Sequence, residues 1–229
     1  NNQMNNYLNK PKHSILVLHS SKQNPITFIK ATRKVLGEED ENSLGTYHKL
    51  TVLPATHKYT PNGITKEVLD GIENPSSKYN RCWWNATDDP ETMIYEGLEY
   101  TIEYIDEFCK NHGPFDGLLG FSQGGCLAGI ISSLQQIQSP LVKHCKFQFA
   151  IIISGFACRD TRLEYNMSTR LPSPTTLIKI PSFHVWGLSD SLVINSRSEC
   201  LSKWFENPII KTHTGGHFYG AINLWPIKK

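Results

Sequence analysis

The segment Asp116-Gly117-Leu118-Leu119-Gly120-Phe121-Ser122-Gln123-Gly124-Gly125-Cys126-Leu127-Ala128 constrains this chain more than any other. Phe115 with Leu118 and Leu119 supplies a short apolar strand, and Gly124, Gly125, Ala128 and Gly129 give the helix that follows a small-residue face. Between them lies a G-x-S-x-G turn centred on Ser122. A serine in such a turn sits on a strained strand-to-helix bend with its hydroxyl exposed. The hydroxyl can attack an acyl carbonyl when a histidine takes its proton and backbone N–H groups hold the oxyanion. An ordinary tight β–α turn is the plainer alternative, and the strand–turn–helix context argues against it.

The rest of the chain alternates strand and helix patterns. Ser14-Ile15-Leu16-Val17-Leu18 is a continuous apolar run, as in a parallel strand covered on both faces. Pro25 opens a helix carrying Phe28, Ile29, Ala31, Val35 and Leu36, and Gly37 ends it. Further strands are expected over 47–53, 147–154, 183–186 and 209–213, and further helices over 90–110 and 192–205. Residues 1–12 look like a frayed tail, 38–45 like an acidic surface loop, and 55–89 and 158–175 are irregular. The alternation predicts an α/β fold, a mostly parallel sheet with helices on both faces, in one domain over 13–229.

Composition narrows the partners. The formal charge is only +2, from 23 basic against 21 acidic residues, and no basic cluster exceeds the terminal Lys228-Lys229 pair. Nucleic acid and anionic membrane are therefore disfavoured as main partners. Six cysteines lie far apart with no C-x-x-C pair, as expected of reduced, buried thiols in a chain able to build a large core. The polar, asparagine-rich start shows no secretory signal, and no apolar stretch is long enough to span a bilayer. The expectation is a cytoplasmic protein. No H-E-x-x-H or paired Cys/His spacing suggests a metal, and the chemistry expected of Ser122 requires no cofactor.

The partners of Ser122 should follow in the order acid, then histidine, and leave the carboxyl ends of later strands. Phe183-His184-Val185-Trp186-Gly187-Leu188-Ser189-Asp190 offers an apolar strand, a glycine turn and then Asp190. Its competing role is to cap the helix expected from Leu192. His217 follows the last strand after Gly215-Gly216, and His213, four residues earlier, is its rival. For the oxyanion, the backbone N–H of Gln123 and that of Ser21, in the loop after the first strand, are the expected donors. His19, at the end of that strand, is expected to pack.

Several separate segments resemble one family. Leu18-His19-Ser20-Ser21-Lys22-Gln23-Asn24, Trp83-Trp84 with Asp88-Asp89, and Tyr95-Glu96-Gly97-Leu98-Glu99-Tyr100 are three of them. Gly113-Pro114-Phe115-Asp116-Gly117-Leu118-Leu119-Gly120-Phe121-Ser122-Gln123-Gly124 is the fourth and longest. Ile153-Ser154-Gly155-Phe156, Trp186-Gly187-Leu188-Ser189-Asp190 and Gly215-Gly216-His217-Phe218 complete the set. Together they are similar to the FSH serine hydrolases, within the α/β-hydrolase superfamily. The resemblance implies a carboxylesterase-type serine hydrolase with Ser122, Asp190 and His217 as its triad. Ser20 stands where that family has glycine, and Ser21 where it has an aromatic; a Cβ at position 20 disfavours a backbone angle that glycine reaches easily. Trp83 and Trp84 are expected to line an apolar acyl pocket or, equally, to pack in the core.

The expected activity is thus hydrolysis of small or acyl-chain carboxylic esters through an acyl-enzyme on Ser122. An acyl thioesterase with the same triad is an alternative, because the tetrahedral intermediates are alike. A ligand-binding protein on a hydrolase scaffold, its oxyanion loop altered at Ser20-Ser21, is another.

Overall fold

Among the described residues, six parallel strands form the central sheet: β1 (His13–Leu18), β2 (His48–Leu53), β8 (Gly117–Phe121), β9 (Phe149–Ile153), β10 (Ser182–Gly187) and β11 (Ile209–His213). Across the sheet they run in the order β11-β10-β9-β8-β1-β2. The computed structural model describes residues 13–35, 48–60, 63–66, 81–87, 93–160, 162 and 177–218. The expected tail, the acidic loop and most of the second irregular stretch lie outside these residues.

The continuous apolar runs are explained by burial on both faces of the sheet. Leu16, Leu18, Leu118, Ala150 and Ile152 point to one side, into a core shared with helices α2 (Leu98–His112) and α3 (Gln123–Gln136). Ile15, Val17, Leu119, Ile151 and Ile153 point to the other, where Phe28 of helix α1 (Pro25–Val35) meets them. Successive side chains of a strand face opposite ways, so one alternating row feeds each core. A strand with both rows apolar is stable only when both faces are covered.

Three expectations about the connections change. Within 55–89, short strands β3 (His57–Thr60), β4 (Gly63–Lys66) and β5 (Arg81–Cys82) form a small antiparallel sheet, and β6 (Asn85–Ala86) pairs with β7 (Tyr95–Glu96). The helix expected from Pro90 begins only at Leu98. Tyr95 is held in a strand by its pairing with Ala86 and donates its N–H to Asp160 Oδ2 at 2.7 Å. Gly97, at φ 87°, then turns the chain. Likewise the helix expected from Leu192 is the shorter α4 (Asn195–Ser202), and Leu192 itself is exposed.

Candidate active site

Ser122 stands between β8 and α3 with φ 54° and ψ −114°, a conformation rare for a residue with a side chain. Its N–H is tied to Ile153 O on the neighbouring strand at 2.9 Å, so the sheet holds the strained turn in place. Glycine is required two residues on. A Cβ at Gly124 would overlap the carbonyl oxygens of Leu18 and His19, because the start of α3 runs against the end of β1.

His217 and Asp190 arrive from the ends of β11 and β10. His217 Nε2 lies 3.0 Å from Ser122 Oγ, and its Nδ1 lies 2.7 Å from Asp190 Oδ2. The imidazole stacks on Phe121, centroids 5.0 Å apart, which fixes the ring plane. The loop bearing His217 passes so close to β10 that a Cβ at Gly187 would overlap the Gly215 carbonyl. Asp190 does not cap a helix, because α4 starts only at Asn195 with Ile194 before it; instead its Oδ1 accepts the N–H groups of Leu192 and Val193, at 3.0 and 2.8 Å, within the turn. One oxygen fixes the turn and the other faces the histidine. His213 is turned away, its Nδ1 accepting the Gly215 N–H at 3.1 Å and its ring packed edge-on against Phe218.

The loop after β1 is braced from beneath by His19. Its Nε2 accepts the Ala55 N–H at 3.0 Å, so its proton is on Nδ1 and is donated to Ser20 O at 2.7 Å. Burial pulls its pKa down to about 4, and the ring stays neutral at ordinary pH. The positive backbone angle of this loop falls on Lys22, at φ 56°, and not on Ser20. The serine in place of the family glycine is therefore unstrained, contrary to the concern raised by the sequence. Ser20 donates its N–H to Gln23 Oε1 at 3.0 Å. Ser21 lines the cleft that holds Ser122.

Trp83 corrects an expectation. It does not line the cleft; its side chain is fully buried and its Nε1–H donates to His19 O at 2.7 Å. Trp84 does line the cleft, stacked on Tyr95 with centroids 4.6 Å apart. Sequence reasoning missed how these tryptophans are held. The side chain of Gln123 accepts the Trp83 N–H at 2.8 Å and donates to the Trp84 carbonyl at 3.0 Å. No spacing signals that contact, since the partners lie 40 and 39 positions away. Cys126, one turn into α3, is a buried thiol. Burial, then a hydrogen bond with Cys158, pushes its thiol well above the ordinary range, and it stays protonated.

His19 and His184 make the fold acid-sensitive. Burial lowers both to about 4, below the ordinary histidine value of 6.5. Between those values the unfolded chain binds protons that the folded chain refuses, so stability is lost as pH falls from 6.5 towards 4. The urea midpoint should drop steadily across that window. A midpoint unchanged from pH 7 to 4 would contradict the buried neutral state.

A parallel six-stranded sheet flanked by helices, with a serine on a strained strand-to-helix turn at its carboxyl end, is an α/β-hydrolase fold. Residues 8–220 match the family described as Serine hydrolase (FSH1), and the chain belongs to that family. It is 32% identical to Esterase OVCA2 of Danio rerio over 222 residues, which is 91% of this chain and 91% of that protein. Against Esterase OVCA2 of Xenopus tropicalis it is 30% identical over 220 residues, 90% of this chain and 86% of the other. Its fold is similar to the crystal structure of Zea mays acyl-protein thioesterase 2, with TM-score 0.62 at 17% identity, covering 91% of this chain and 87% of that one. The chain is a serine hydrolase.

Proposed function

We propose that Ser122, His217 and Asp190 hydrolyse carboxylic esters through an acyl-enzyme. The continuous hydrogen-bonded path from Ser122 Oγ through His217 to Asp190 carries this reading. His217 Nε2 takes the Ser122 proton as Oγ attacks the ester carbonyl, and returns it to the departing alcohol. Water, deprotonated by the same nitrogen, then cleaves the acyl–Oγ bond and frees the carboxylic acid. Asp190 keeps the Nδ1 proton in place and stabilises the imidazolium.

The backbone N–H groups of Gln123 and Ser21 are the proposed oxyanion donors. Gln123 is the first residue of α3, where an N–H has no acceptor within its own helix. The cleft encloses about 370 Å³, and Trp84, Met93, Phe156, Leu192 and Val193 give it apolar surface for an acyl chain. The relatives named as esterases favour an ester over other acyl substrates. Six free cysteines favour a reducing compartment, the cytoplasm, and no described helix is long and apolar enough to cross a membrane. Small molecules rather than nucleic acid are the proposed partners, acting on a single domain over 13–229.

A fluorophosphonate probe tests the assignment. It should label the protein once, and peptide mapping should place the adduct on Ser122. An adduct elsewhere, or none on folded protein, would overturn it.

A further inference from the structure

The cleft around Ser122 carries an asymmetric charge. Lys22, Arg159 and Arg197 line it, and among the described residues no aspartate or glutamate does. The whole chain is close to neutral at +2, so this concentration is local. Nearby carboxylates are already engaged by a different arginine: Arg162 pairs with Asp160 at 2.7 Å and with Glu99 at 3.1 Å. Arg159 and Arg197 have no carboxylate partner among the described residues.

Arg197 is not a freely solvated surface cation. It is half-buried, and its guanidinium carbon lies 4.4 Å from the centre of the Phe156 ring, which fixes the side chain against the cleft wall. Burial, and then the like charge of Arg159, both act against its protonated form. The two like charges, on an exposed Arg159 and a half-buried Arg197, repel one another, and no carboxylate among the described residues offsets them. A bound anion relieves the repulsion and accepts hydrogen bonds from a group built to bridge two oxygens.

We infer that Arg159 and Arg197 form an anion subsite of this cleft, and that the substrate is an ester or thioester carrying a carboxylate or phosphate besides its scissile bond. The subsite rests on the proposed hydrolase reading and deepens it by naming a substrate class. The apolar wall takes the hydrocarbon part, and the arginines take the charged end.

The test compares matched substrates on the intact protein. Mono-p-nitrophenyl succinate against p-nitrophenyl butyrate places a carboxylate on the acyl side. Butyryl-coenzyme A against the butyryl thioester of N-acetylcysteamine places phosphates on the leaving group. In at least one arm the anionic member should have the higher kcat/KM by about tenfold, the scale of a charge-assisted contact. The arm that responds identifies the source of the anion. High salt should shrink the ratio.

Arg159→Gln and Arg197→Gln, singly and together, should pull that ratio towards one, and Arg197→Lys should restore part of it. The ratio is internal to each variant, so partial misfolding does not imitate the effect. Fluorophosphonate labelling counts the competent sites. Ratios near one in both arms, with Ser122 still labelled and neutral esters cleaved, overturn the subsite and leave the hydrolase standing. A ratio that survives the double variant also overturns it. Absence of both labelling and cleavage overturns the hydrolase reading and the subsite with it.

Discussion

Asp190→Asn is expected to lower kcat by about 10⁴ while leaving the fold intact, because it reverses the direction of one hydrogen bond. The Asp190 side chain is fully enclosed, and its Oδ1 accepts two backbone N–H groups, from Leu192 and Val193. An asparagine must keep its oxygen there, which aims its NH₂ at His217 Nδ1. A donor in that position forces the imidazole proton onto Nε2, the nitrogen 3.0 Å from Ser122 Oγ. The histidine then points a proton at Ser122, the group it is proposed to deprotonate. Asp190→Ala should fall as far in kcat but also lose the turn, costing about 0.5–2 kcal/mol. Kinetics with a p-nitrophenyl ester and thermal melts of both variants separate the two roles. A kcat for Asp190→Asn within tenfold of the native value would sink the proton-path assignment.

The dual use of Asp190 marks where the sequence was legible. Helix capping and facing the histidine compete for Asp190 in the sequence, because a sequence presents one residue type at one position. No cap forms there, since α4 starts at Asn195; a carboxylate has two oxygens, and the fold uses one for the turn and the other for the histidine. Ser122 was readable because its turn is local: strand, strained bend and small-residue helix all fall within consecutive residues. The two-sided strands were readable for the same reason, since burial on both faces leaves an unbroken apolar run in β1, β8 and β9.

Tertiary effects hid the rest. Ile94 and Leu98 share a helical spacing, yet only Leu98 is helical, because Tyr95 upstream is claimed by Ala86 and Asp160. Trp83 and Trp84 are adjacent in sequence but diverge in role. One is pulled inward by His19 and the other is left facing the cleft. Ser20 departs from the family pattern, yet its backbone does not need a glycine. The positive angle lies on Lys22, and the loop is supported by His19, whose bond to Ala55 crosses 36 residues.

That support makes the second large effect calculable at Gly124. Adding one methyl there, Gly124→Ala, drives a Cβ into the carbonyl oxygens of both Leu18 and His19. Neither can turn aside, since Leu18 belongs to β1 and the His19 carbonyl also holds Trp83 Nε1–H at 2.7 Å. The end of β1 and the start of α3 must separate, and they carry the two proposed oxyanion donors, Ser21 and Gln123. Misplacing such donors by about 1 Å costs roughly 10²–10³ in rate, and overpacking a tight core costs about 1–3 kcal/mol. Gly129→Ala on the same helix is the matched comparison. The atom nearest its new Cβ is Leu201 Cδ1, the end of a flexible side chain rather than backbone, and alanine favours the helix. The pair should therefore diverge: Gly124→Ala loses both kcat and melting temperature, while Gly129→Ala stays close to native in both. Equal behaviour of the two would mean that the contact between α3 and the loop after β1 does not govern the geometry around Ser122.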